Sequence, residues 1–212
     1  MCLNKGNVVR LCAIFGFLGV VVAPLEAQRL IPQIGVYSAV EAPGSVQGPA
    51  GAYDIARYES TLAYGGAIEF GGDTGVGLRF SGLYAPKAET AISGSGCVTG
   101  CPADVDLLSV MGSLVVRPLG NVFFLEPYLV GGGGLKRFNF EPEGFGDGVG
   151  QVFSDASEWG GLLGVGAEVN FGGLTVITEV ADHFHWSDRG IVNGDKTRMD
   201  DFFFTVGLVL GR

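Results

Sequence analysis

Charge is scarce in this chain. Asp, Glu, Lys and Arg make up 17% of its 212 residues, against about 25% in an ordinary water-soluble domain. Cations are the scarcer sign, with 13 Lys and Arg against 22 Asp and Glu and a formal net charge of -9. Nothing there would neutralise a phosphate backbone, which excludes nucleic acid as a partner. Beyond Ala27 there is no apolar run near the roughly 20 residues that a membrane-crossing helix needs. The same stretch holds two cysteines, Cys97 and Cys101, and two histidines, His183 and His185. Two thiols with no nearby imidazole make a poor zinc set. The glycine run at Gly131, Gly132, Gly133 and Gly134 lacks the Lys-Ser/Thr of a phosphate loop, and no helix pattern follows it. No cofactor and no metal are expected.

Glycine, by contrast, is abundant at 37 residues, and 47% of the chain is hydrophobic. That much glycine disfavours helices and suits tight turns and closely packed strands. The first 27 residues read as a signal peptide. Lys5 and Arg10 form a basic start, residues 11–25 an apolar run, and Ala27 the small residue before the cut, leaving Gln28 as the mature N-terminus. The alternative, an uncleaved anchor, requires a longer run than this one, which also contains Pro24. Export places Cys97 and Cys101 in an oxidising compartment, where a disulfide closing a small loop is expected.

Residues 28–212 alternate between short and long connections. The short ones fall at 71–74, 118–121 and 172–173. The long ones run at about 43–58, 87–104, 139–158 and 187–200. Between them lie eight strand-like stretches, each able to cross a bilayer at a tilt, which takes about 9–11 residues. Short turns at one end and long loops at the other match an up-and-down membrane barrel with its long loops outside the cell.

Side-chain parity supports this reading, because successive strand residues face opposite sides. In the second strand Leu62, Tyr64, Ile68 and Phe70 share one face, and Ala63, Gly65, Ala67 and Glu69 the other. The third sets Val76, Leu78, Phe80 and Tyr84 against Gly77, Arg79 and Ser81. The last sets Phe202, Phe204, Val206 and Leu208 against Phe203, Thr205 and Gly207. Two barrels remain open. A soluble one would turn the large apolar face inward and show water a glycine-rich face. A membrane barrel would turn it to lipid and line a narrow interior with small and charged residues. The aromatics favour the membrane. Phe70, Phe123 and Phe171 lie beside the short turns, and Tyr84, Trp159 and Trp186 beside the long loops, as two girdles around an aliphatic band. The expected fold is therefore all-β, an eight-stranded antiparallel up-and-down transmembrane β-barrel in the bacterial outer membrane. Its expected partners are outer-membrane lipid and lipopolysaccharide.

The stretch Pro127-Tyr128-Leu129-Val130-Gly131-Gly132-Gly133-Gly134 and the hairpin joining Gly164-Val165-Gly166-Ala167-Glu168-Val169 to residues 174–179 resemble the small outer-membrane barrels that include the transmembrane domain of outer-membrane protein A. The resemblance covers the whole mature chain and implies the fold more than an activity. Two features depart from it. The chain ends Leu210-Gly211-Arg212, where the family ends on an aromatic that the assembly machinery reads. No periplasmic domain follows, so peptidoglycan anchoring is not implied.

Four chemistries are in view. Glu69, Arg79, Arg117, Glu168 and Glu179 share the inward parity, and Glu126 joins them if Leu125 and Leu129 face lipid. Buried charges require partners, so these form either a polar plug or a salt-bridge gate, and the width of eight strands favours the plug. His185 and Ser187 form a His-x-Ser stretch like that of the outer-membrane lipid A deacylases, with Asp200 or Asp201 to orient the imidazole. Their parity points them inward, against an enzyme acting on the outer leaflet. His183 and His185 share a face without a fixed third ligand. Finally, the acidic stretch 139–158, with Glu141, Glu143, Asp147, Asp155 and Glu158, neighbours an unusual share of aromatics at Phe138, Phe140, Phe145 and Phe153. It reads as a surface for an extracellular partner or for a cation bridge to lipopolysaccharide. The expected role is structural or surface-interacting and non-catalytic, with a lipid A-modifying hydrolase or a narrow channel as alternatives.

Overall fold

The computed structural model describes residues 28–40, 44–48, 51–71, 75–94, 97–120, 122–141, 156–187 and 197–211. Strands account for nearly all of them: β1 (Gln28–Ala39), β2 (Gly44–Gly48), β3 (Gly51–Tyr58), β4 (Thr61–Phe70), β5 (Val76–Gly94), β6 (Cys97–Val116), β7 (Leu125–Glu141), β8 (Ala156–Phe171), β9 (Leu174–Asp182), β10 (His185–Ser187), β11 (Thr197–Met199) and β12 (Asp201–Val209). Eight of them form the wall. β1 pairs with β4, β4 with β5, and so on through β6, β7, β8 and β9 to β12, which pairs back onto β1, every pair antiparallel. Closure leaves the wall without an edge strand. β10 carries the line of β9 upward past a break at His183 and Phe184, pairing with β8 and β11.

The alternation of the sequence becomes the two faces of the wall. Along β12, Asp201, Phe203 and Thr205 are buried, while Phe204, Val206 and Leu208 are half exposed. Around the whole barrel the exposed set is aliphatic and aromatic, including Leu30, Ile34, Leu62, Leu114, Leu129, Leu163, Val165 and Phe171. Water would make such a belt costly at about 25 cal/mol per Å²; a bilayer solvates it. The interior is filled by side chains. Ile31, Ala67 and Ile177 pack together, as do Met111, Val115, Tyr128, Val130, Leu162 and Ala181. Gly166 is required here, because a Cβ on it would lie 2.3 Å from the Tyr128 ring. Gly172 and Gly173, both at positive φ, close the β8–β9 hairpin, as two-residue turns matching the strand twist require.

Two expected long connections prove to be mostly strand. Residues 43–58 contain the β2–β3 hairpin, and residues 87–104 carry the continuation of β5 and β6, which reach 19 and 20 residues. At about 3.3 Å per residue these two run roughly 60 Å, twice the hydrocarbon thickness. The turn-like Pro86 and Lys87 are absorbed in a bulge between Ala85 and Ala88, where Lys87 takes a positive φ and its N–H donates to Asp106 Oδ1 at 2.9 Å. Bulges admit a proline that a regular ladder rejects. The reading of the 139–158 region also needs correction at its two ends. Phe138 is not a loop aromatic but a buried β7 residue that faces the interior, and Glu158 lies in β8 beside His185. Residues 1–27 and most of 139–158 lie outside the described residues, as do the side chains of Cys97 and Cys101.

Candidate functional site

Two polar layers cross the interior. The lower one sits near the short turns, built from strands distributed around the wall. Register sets Glu69 on β4 opposite both Arg29 on β1 and Arg79 on β5. Glu69 is fully buried and meets three guanidinium groups: Arg29 Nη1 at 2.9 Å, Arg79 Nη2 at 2.8 Å and Arg117 Nη2 at 2.5 Å. Glu168 on β8 takes Arg29 Nη2 and Arg117 Nη2, both at 2.5 Å. Glu179 on β9 accepts from Arg79 Nη1 at 2.5 Å and from the Tyr128 hydroxyl at 2.9 Å. The Tyr128 ring lies under Arg79 and Arg117, with their Cζ atoms 5.1 and 5.8 Å from its centroid. Glu126 stands at the edge, 3.9 Å from Arg117 Nε. Three cations thus meet three carboxylates directly, the balance that burial of charge demands.

The upper layer lies at the height of Trp159 and Trp186. Its centre is Lys136 on β7, fully buried. The ammonium contacts Asp201, donates to the His183 carbonyl at 2.7 Å and lies 2.9 Å from His185 Nδ1. These three acceptors use all three of its protons. With Nδ1 accepting, the His185 ring carries its proton on Nε2, and that nitrogen lies 3.1 Å from Glu158 Oε2. Tyr37 donates to Asp201 Oδ1 at 2.8 Å, and Ser109 Oγ lies 2.8 Å from His183 Nδ1. Phe138 covers the group, its ring 5.2 Å from that of His185 and 5.6 Å from Lys136 Nζ.

The structure therefore brings Glu69, Arg79, Arg117, Glu168 and Glu179 into one cluster, and adds Arg29 and Tyr128. Both were readable: Arg29 has the parity of Ile31 and Gln33, opposite to Leu30 and Ile34, and Tyr128 alternates with Leu129. Of the hydrolase alternative, the structure describes the side chains of His185, Asp200 and Asp201. His185 is buried on the inner side of the wall. Asp200 instead bonds Arg198, with its carboxylate 2.6 Å from Nε. Asp201 is the acid near His185, its Oδ2 3.6 Å from Nδ1 and engaged by Lys136. Ser187 is the last residue of β10, with its side chain outside the described residues. His183 and His185 each direct Nδ1 at a different partner, Ser109 and Lys136. Among the described residues no group of three or more His, Cys, Asp or Glu is arranged to hold a metal.

A closed eight-stranded wall, an apolar outer belt between two aromatic rims and a charge-paired interior define a small β-barrel of the outer-membrane type. No protein-family model matches the chain, and no curated protein matches its sequence. Among solved structures it is similar in fold to the outer membrane protein OprG from Pseudomonas aeruginosa, with 15% identity over 88% of this chain and 98% of that one, at a TM-score of 0.53. Outer Membrane Protein W of E. coli aligns at 17% identity over 89% and 100% of the two chains, with a TM-score of 0.46. The attachment invasion locus protein Ail of Yersinia pestis aligns at 14% identity over 87% and 99%, also at 0.46. The likeness to OprG is one of fold.

Proposed function

We propose that the chain is a structural, surface-interacting protein of the bacterial outer membrane, without transport or catalysis as its main role. The observation that carries this reading is the filled interior. Ion pairs run through each polar layer, and the apolar packing of Met111, Val130, Leu162 and Ala181 lies inside the same wall. Ions crossing it would have to strip guanidinium groups from carboxylates at 2.5–3.1 Å. β5 and β6 outrun the bilayer and carry the chain well beyond it, where the acidic region 139–158 joins the wall. That region is the proposed contact with an extracellular surface or with lipopolysaccharide. Removal of residues 1–27 on export and a Cys97–Cys101 bridge belong to the same proposal.

The test has two arms. In planar bilayers the protein should show no steady single-channel conductance; a stable ohmic channel would favour the narrow-channel alternative. In cells, replacing residues 142–155 with a short Gly-Ser linker should reduce attachment to a surface while leaving barrel assembly intact. Unaltered attachment would remove this region from the role.

A further inference from the structure

We propose that the outer wall holds a binding slot for one acyl chain of a membrane lipid, a proposal that rests on the membrane placement above. A proline and two glycines, none with a long side chain, form a row across neighbouring strands. Pro32 on β1 is paired with Gly66 on β4, which is paired in turn with Gly82 on β5. All three lie on the lipid side of the wall. Their row is the floor of a cavity of about 380 Å³, walled by Leu30, Ile68 and Phe80. Leu30 and Phe80 are part of the exposed apolar belt, so the slot is continuous with the surface that lipid solvates.

The two ends of the slot differ. Below the row are Phe80, Ile68 and Leu30. Two residues above it stand Tyr64 and Tyr84, cross-strand partners in edge-to-face contact with centroids 5.4 Å apart. The Tyr84 hydroxyl donates to Asp106 Oδ2 at 2.6 Å, and the Tyr64 ring is half exposed. Tyrosine at this level belongs with the headgroups. An apolar trough topped by phenol groups matches an amphiphile whose tail points toward the membrane centre, which is the orientation of a lipid of the outer leaflet. A second barrel is a poor occupant, because its convex wall would bridge the trough instead of filling it. Dispersion contacts with Phe80, Ile68 and Leu30 are what a lodged chain gains over a freely mobile one.

Gly82 gives a clean test. A Cβ added there meets no atom within 4 Å, so the wall tolerates a side chain that fills the slot. Gly82→Leu is compared with the wild-type chain and with Val165→Leu, a lipid-facing change elsewhere on the wall. Folding of all three is checked first by cold and boiled electrophoretic mobility. Micelle-held protein is then titrated with dipalmitoylphosphatidylglycerol and the bound lipids counted by native mass spectrometry. The wild-type chain and Val165→Leu are expected to bind the first lipid about tenfold more tightly than the second, and Gly82→Leu to lose that preference. A dicaproyl lipid with the same headgroup should show no preference in any of them, since the chain provides the recognition. A folded wild-type barrel with no first-lipid preference, or a Gly82→Leu variant that retains it, overturns the slot and leaves the membrane reading standing. A wild-type chain that shows no heat-modifiable form and stays out of micelles overturns both.

Discussion

Replacing Glu69 with leucine isolates the charge balance of the lower layer. Its carboxylate is fully buried and is the point at which Arg29, Arg79 and Arg117 converge. Glu69→Leu leaves three guanidinium groups facing Glu168 and Glu179, with Glu126 only at 3.9 Å from Arg117. Removing one partner of a buried ion pair costs about 3–5 kcal/mol, because the remaining charge is stranded in a poor solvent for it. The measurement is urea unfolding of the refolded barrel, followed by tryptophan fluorescence and by loss of the fast-migrating unboiled band. With a slope of about 2 kcal/mol per M, the midpoint should fall by about 2 M. A second change discriminates between lost charge balance and lost packing. Glu69→Leu combined with Arg79→Leu removes a cross-strand pair and restores the count, so the double variant should be more stable than Glu69→Leu alone by about 1–3 kcal/mol. Recovery will be incomplete, since Glu179 then keeps only the Tyr128 hydroxyl among these contacts. If Glu69→Leu unfolds within about 0.5 kcal/mol of wild type, or the double variant loses the sum of the two single losses, the layer is not a coupled ion cluster.

Two further outcomes follow from the fold and from export. Gly166→Ala should destabilise by roughly 1–3 kcal/mol, the usual range for overpacking, because its Cβ meets the Tyr128 ring at 2.3 Å; a companion Tyr128→Phe, which keeps the ring, should not rescue it, whereas Tyr128→Leu should rescue in part. Protein recovered from outer membranes should begin at Gln28 by intact mass, two hydrogens lighter than the thiol form and unreactive to iodoacetamide until reduced. A free-thiol mass would remove the Cys97–Cys101 bridge, and a mass including residues 1–27 would remove the cleavage.

The wall was legible because its faces obey one rule over long stretches. Leu62, Tyr64 and Ile68 against Ala63, Ala67 and Glu69 is a period of two that nothing interrupts, and the same rule sets Arg79, Arg117, Glu168 and Glu179 inward. The rule failed where local chemistry imitates a turn. Pro86 and Lys87, and the glycines at 94 and 96, carry the composition of a loop, yet a bulge takes up Pro86 and Lys87 and inward Ala88, Val105 and Leu107 continue the core above it. Parity reaches across such a bulge only when the extra residue is known, which is a fact of pairing and not of composition.

The upper layer shows the same limit from the other side. Lys136 alternates correctly with Leu135, but its partners arrive from segments where the ladder breaks. β9 and β10 are separated at His183 and Phe184, and β11 and β12 at Asp200. Across the second break Asp200 and Asp201 fall on opposite faces, one to Arg198 and one to Lys136. A sequence that offers both acids beside a histidine cannot say which one the wall turns inward; pairing of Phe202 with Asp182 and of Phe203 with Ala181 decides it. Once Asp201 is inward, its carboxylate is engaged before it reaches His185. The acid that would orient His185 is occupied by a buried ammonium, which also donates to the imidazole nitrogen that such an acid would need. The stretch that looks like a hydrolase in one dimension is drawn in three around Lys136, which holds both the acid and the imidazole.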